Sequence, residues 1–171
     1  MRKIAVIITD MFQDEEYQQP ADAFRKAGHE LVHVGLIAGS QVKGENGTIV
    51  QIDKAVHDVS ADDFDALFIP GGYSPDRLRV DPDAVRFAKE FFNGNKPVFA
   101  ICHAAQLLIT AQVLKGRRVT GWTSIVQDVK NAGAEYVDAE VVVDKNLVSS
   151  RKPADIPAFV REALAMLAKQ V

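Results

Sequence analysis

Four short apolar runs, Ile4 to Ile8, Leu31 to Val34, Ala66 to Ile69 and Val98 to Ile101, alternate with segments whose apolar residues recur at helical spacing. Runs without in-and-out alternation belong to strands buried on both faces, the condition of a parallel sheet covered by helices on two sides. The helical segments can be counted. Ala84, Phe87, Ala88 and Phe91 share one face, Ala104, Leu107, Leu108 and Ala111 repeat the same offsets, and Ile156, Phe159, Val160, Ala163, Leu164 and Leu167 make a third stripe. Gly28 and Gly133, each following an alanine, stand where helices would end. Val42 to Ile52 and Glu140 to Ser150 are expected as hairpins added to the parallel core. No linker, repeat or low-complexity tract divides the chain, so residues 1–171 are expected to form a single domain.

Composition removes several classes of function. With 47% hydrophobic and 25% charged residues, the chain has the make-up of an ordinary globular protein. Twenty Lys and Arg against 23 Asp and Glu leave a net charge of -3, with no basic block to neutralise a row of phosphates, so nucleic acid is not expected as an electrostatic partner. The N-terminal apolar run is too short to span a membrane and lacks a cleavage site, so no membrane partner and a cytoplasmic location are expected. One cysteine excludes an internal disulfide.

Ligands of open α/β sheets collect beyond the carboxyl ends of the strands. At the third such place, Cys102 lies between the strand ending at Ile101 and a helical segment, at a strand-to-helix elbow. A lone cysteine is usually a buried core residue. An elbow reverses that expectation, because a helix start offers free N–H groups and a positive dipole end, and a depressed thiol pKa is expected from it. His103 follows as a candidate general acid or base. After Ile69, Gly71 and Gly72 permit a main-chain N–H to approach a ligand, the requirement of an oxyanion site. After Ile8 come four carboxylates, Asp10, Asp14, Glu15 and Glu16, most of which are expected to be solvated while one turns towards Cys102. His29, His33 and His57 show no ligand spacing with His103, and no metal site is assigned.

The combination of Phe12-x-Asp14-x-Glu16, Pro70-Gly71-Gly72, Ser74-Pro75-Asp76-x-Leu78-Arg79, Lys96-Pro97-Val98-x-Ala100-Ile101-Cys102-His103 and Ser149-Ser150-Arg151-x-Pro153-x-Asp155 resembles the DJ-1/PfpI family. The resemblance covers nearly the whole chain. It implies a flavodoxin-like three-layer α/β sandwich with a mainly parallel sheet and Cys102 at a nucleophile elbow. It further implies that Glu16 hydrogen-bonds the cysteine, that the N–H groups of Gly72 and His103 are oxyanion donors, that Trp122 lines the pocket, and that Asp76 reaches the His103 of a neighbouring subunit. A homodimer or larger homo-oligomer follows. Two positions depart from the family pattern: Ala104-Ala105 stands for the usual Gly-Pro, and Gln13 for a frequent acid.

Three activities are compatible with these residues. The first is a cofactor-independent enzyme on reactive carbonyls, of glyoxalase III or deglycase type, with Cys102 as nucleophile and His103 or Glu16 as proton carrier. The second is a cysteine peptidase using Cys102, His103 and Asp76. The third is a redox sensor or stress chaperone in which Glu16 stabilises oxidised Cys102. A chain without a large insertion favours a small pocket, and His103 favours catalysis over sensing. Glu16 is expected to be protonated at neutral pH when set against the sulfur.

Overall fold

Alternate residues of each apolar run face opposite sides of one sheet, and helices cover both sides. The computed structural model describes residues 1–169. In chain order the elements are β1 (Lys3–Ile7), α1 (Asp14–Lys26), β2 (Glu30–Gly35), β3 (Gln41–Lys43), β4 (Ile49–Gln51), β5 (Lys54–Ala55) and β6 (Ala66–Ile69). They continue with α2 (Ser74–Leu78), α3 (Pro82–Asn93), β7 (Val98–Ile101), α4 (Ala105–Thr110), β8 (Arg118–Val119) and α5 (Val126–Asn131). The last are β9 (Glu135–Tyr136), β10 (Val142–Asp144), β11 (Leu147–Ser150) and α6 (Ile156–Lys169).

The main sheet has seven strands in the order β10-β11-β7-β6-β1-β2-β5. Every pairing is parallel except β10 with β11. Ala5, Ile7, Leu67, Ile69, Val98 and Ala100 pack on one side against Phe87 and Phe91 of α3 and Leu107 and Leu108 of α4. Ile4, Val6, Phe68, Phe99 and Ile101 pack on the other against Phe24 of α1 and Phe159 and Ala163 of α6. On that second side Phe24 meets Phe68 edge-on at 5.6 Å and Phe68 meets Phe159 at 6.2 Å. The result is a three-layer α/β sandwich of flavodoxin-like topology.

Both expected helix ends are present, Gly28 and Gly133 taking φ of +90° and +87° beyond α1 and α5. The two hairpins exist but differ in rank. β3 and β4 form a separate antiparallel pair, whereas β11 of the second hairpin lies parallel to β7 inside the main sheet. That segment is therefore core and not an addition: Leu147 and Val148 are fully buried, and β11 covers what would otherwise be an open edge of β7.

The chain leaves β1 towards β2 on one side and returns through β6 on the other. A crevice opens where the connections diverge, beyond the carboxyl ends of β1, β6 and β7. Among the described residues no helix is long and apolar enough to cross a membrane.

Candidate active site

Cys102 is held in a conformation that few non-glycine residues adopt. Ile101 ends β7 in extended geometry, the next three residues make one 3-10 turn, and Cys102 takes φ +62° to join them. Such a conformation costs on the order of 1–3 kcal/mol and persists only where packing imposes it. Here the imposition is visible. The Cys102 carbonyl accepts a hydrogen bond from Trp122 N at 3.1 Å, and Gly121 permits that approach, since a Cβ there would lie 2.9 Å from the same carbonyl.

The other walls arrive by equally close contacts. A Cβ on Gly71 would run into Glu16 Oε1 and lie 2.8 Å from Cys102 Cβ. Gly72, at φ +79°, passes so near Phe12 and Gln13 that a Cβ would lie 2.7 Å from Met11 O. Gln13 caps α1 by accepting from Glu16 N at 2.7 Å, which sets Glu16 on the inward face of the first turn. Glu16 is fully buried. Neither of its carboxyl oxygens has a partner of full hydrogen-bond geometry, and the Cys102 sulfur is the neighbour that acts on it.

Burial, with smaller contributions from Glu45 and Glu15, pushes the Glu16 carboxyl up to about 8, against a weaker opposing interaction with Cys102. Glu16 is therefore neutral at neutral pH, as two acids in one dry site require. The thiol does not follow the sequence expectation. Burial pushes the Cys102 pKa up, the charge and hydrogen bond of Glu16 push it further, and the N–H groups of His103 and Gly72 offset only part of this. The reason lies in the helix: Cys102 opens a single 3-10 turn followed by the six-residue α4, which supply little dipole compared with the burial. The resting group is a thiol, with two backbone donors in place for a developing anion.

His103 Nδ1 lies 3.5 Å from Cys102 Sγ. Its other ring nitrogen is 3.2 Å from Ser124 Oγ, and the ring stacks on Tyr73 at 6.5 Å and 18°. Burial lowers the His103 pKa, partly countered by Asp76 of the same chain, so the ring is neutral and able to accept a proton. Asp76 itself lies inside α2, with its carboxylate 3.9 Å from Arg79, and makes no hydrogen bond to His103. Trp122 is 37% exposed and forms a cleft wall. The cleft over the sulfur holds about 290 Å³ and is also walled by Gln13, Glu45, Tyr73 and Pro153.

The four carboxylates after β1 divide differently from the expectation. Glu16 is turned inward, but Asp14 is buried as well, accepting from Asn46 N at 2.7 Å and Thr48 N at 2.9 Å. Burial alone would raise the Asp14 carboxyl, yet hydrogen bonds from Thr48 and Asn46 bring it below its ordinary value. It therefore ties the β3–β4 hairpin to α1 and places Glu45 at the cleft. Ser124, Tyr73 and Glu45 carry no signal in the sequence, because they lie in separate loops with no spacing that relates them to Cys102. Among the described residues no group of three or more His, Cys, Asp or Glu is arranged to hold a metal.

A strained cysteine, a neutral histidine and a buried protonated acid thus meet in one open-mouthed cleft at the switch point of a parallel α/β sheet. The family model described as "DJ-1/PfpI family" matches residues 2–166, and the chain belongs to that family. Escherichia coli "Protein/nucleic acid deglycase 2" is 56% identical over 168 residues, 97% of this chain and 98% of that protein. "General stress protein 18" of Bacillus subtilis is 56% identical over 170 residues, 98% of this chain and 99% of that protein. Among solved structures, a two-domain Anabaena variabilis protein with DJ-1/ThiJ/PfpI-like and ferritin-like domains has a TM-score of 0.96 at 38% identity, covering 98% of this chain and 48% of that one.

Proposed function

We propose that this protein is a cysteine-dependent, cofactor-independent enzyme of glyoxalase III or deglycase type, acting on methylglyoxal or its adducts. The observation that carries the reading is the convergence of Glu16, His103 and two main-chain N–H groups on one sulfur in a small cleft. The deglycase name of the E. coli relative supports it. In the first step Cys102 Sγ bonds to the aldehyde carbon, while its proton passes to His103 and on to the carbonyl oxygen, giving a hemithioacetal. Gly72 and His103 N–H stabilise the charge as it develops. His103 then removes the hydrogen from that carbon as a proton, its electron pair forming the C=C bond of an enediol while the ketone oxygen takes up a proton. The proton returns to the adjacent carbon as the first carbon's hydroxyl loses its own, so that one carbon is oxidised, the other reduced, and a thioester forms. Water adds to the thioester, the thiol leaves with a proton, and a 2-hydroxy acid is released. Neutral Glu16 donates to the sulfur side of the site throughout and lowers the cost of its negative charge.

A cleft of about 290 Å³ suits a small carbonyl better than an extended peptide. The discriminating experiment incubates pure protein with methylglyoxal and, separately, with a fluorogenic peptide, comparing wild type with Cys102→Ser. Cysteine-dependent loss of methylglyoxal is expected. Cleavage of the peptide alone would overturn the proposal in favour of a peptidase. We also propose a homo-oligomer in which Asp76 of one copy orients the His103 of another, which would supply the acid that His103 lacks within its own chain.

A further inference from the structure

Glu45 sits at the tip of the β3–β4 hairpin, its main-chain N–H fixed to Phe12 O at 2.9 Å, and it lines the cleft. Among the described residues it forms no ion pair, and no lysine or arginine lines the cleft. Among the residues lining the cleft, Glu16 and His103 are neutral, and Glu45, whose carboxyl is raised by burial and by Asp14, is the acid left to carry charge. Its influence reaches the reacting groups, because it acts electrostatically on Glu16. Two aromatic side chains line the same cleft, Tyr73 at 60% exposure with one face stacked on His103, and Trp122 at 37%. Aromatic faces attract cations through the ring quadrupole, and Tyr and Trp beside a carboxylate make a cation-accepting rim.

We infer that Glu45, with Tyr73 and Trp122, makes this cleft selective for carbonyl compounds that carry a positive charge, such as a 2-oxoaldehyde attached to an ammonium or guanidinium group. The inference rests on the carbonyl reading above, and specifies which members of that class the site takes. A cationic substrate gains the Coulombic attraction of Glu45 and the two ring faces. An anionic aldehyde meets repulsion from the same carboxylate. The hairpin is held in place, since Asp14 accepts from Asn46 N and Thr48 N, so Glu45 projects from a fixed backbone and not from a loose loop.

The test reads charge selectivity at the sulfur without requiring turnover. Methanethiosulfonate reagents form a disulfide with a cysteine as methanesulfinate leaves, and exist in cationic trimethylammonio-ethyl and anionic sulfonatoethyl forms. Their rates at Cys102, each divided by its rate with free cysteine, give a cation-to-anion ratio. Wild type is expected to favour the cation, with Glu45→Gln lowering the ratio about fivefold, as a unit charge several ångströms away in a partly screened cleft does. Glu45→Asp is expected to keep most of the preference. A ratio unchanged by Glu45→Gln would overturn the inference. In parallel, a 2-oxoaldehyde bearing a trimethylammonio group (3-trimethylammonio-2-oxopropanal) and neutral methylglyoxal are compared as substrates, the first expected to lose more kcat/KM in Glu45→Gln. A shifted thiosulfonate ratio without turnover of either aldehyde would uphold the charged rim and refute the carbonyl reading. Equal losses for both aldehydes would refute the selectivity.

Discussion

Replacing Glu16 by glutamine isolates the energetic cost of burying an acid behind the nucleophile. Glu16 is fully buried and its carboxyl is pushed from its ordinary 4.5 to about 8. In the unfolded chain it ionises near its ordinary value, whereas in the folded protein it keeps its proton until about pH 8. Between those values the folded state binds one proton more, so stability falls as pH rises. The slope is about 1.4 kcal/mol per pH unit, which removes about 3 kcal/mol between about pH 5 and about pH 7. A glutamine side chain has nearly the same shape and does not titrate. Any constant cost of burying its amide cancels when the two proteins are compared across pH. The assay is urea unfolding of wild type and Glu16→Gln, followed by the fluorescence of the single tryptophan, Trp122, at several pH values in that range. The variant is expected to gain on wild type steadily with pH, by about 3 kcal/mol over the range. A stability difference that stays the same at every pH would refute the reasoning, because it would mean that Glu16 ionises in the folded protein as readily as in water.

Alkylation of Cys102 by iodoacetamide is expected to have its midpoint above the ordinary thiol value of about 8.5, and to move lower in Glu16→Gln, where the raising effect of the carboxylate is gone. A midpoint below neutrality in wild type would contradict the burial argument. Gly71→Ala places a methyl group against Glu16 Oε1 and 2.8 Å from both Cys102 Cβ and Ile101 O. It is expected to destabilise the fold by about 1–3 kcal/mol and to slow Cys102 alkylation, both read on the same sample. Unchanged thermal unfolding would show that the elbow yields more easily than its packing suggests. Mixing inactive Cys102→Ser with inactive Asp76→Ala is expected to restore part of the activity, because one interface then joins an intact Cys102 to an intact Asp76. A fully active monomer by light scattering would end that proposal.

The parallel sheet was legible because its strands are covered on both faces, which writes uninterrupted apolar runs into the sequence at Ile4, Ala66 and Val98. Stop signals were legible for the same local reason, a glycine that can take positive φ. The rank of the second hairpin was not legible, since only the partner strand β7 makes Leu147 to Ser150 a core element. At the site, Cys102, His103 and the glycine pair lie at strand ends, where topology alone points. The direction of the thiol shift was not available, because it depends on how deeply the sulfur lies and on Glu16, which folding brings from a distant segment. Ser124, Tyr73 and Glu45 are of the same kind: each is unremarkable in its own loop and acquires a role through what the fold sets beside it.

The account rests on Cys102 forming a bond to the carbonyl carbon, and a rapid-quench experiment observes that bond. Enzyme in slight excess over methylglyoxal is stopped with acid at short intervals, and its intact mass and peptide map are read while the hydroxy acid is followed by NMR. The account predicts a transient mass increase equal to one methylglyoxal on the peptide containing Cys102, rising before the hydroxy acid and falling as it accumulates, and absent from Cys102→Ser. Hydroxy acid formed by Cys102→Ser at the wild-type rate, with adducts spread over lysine and arginine side chains in both proteins, would contradict it.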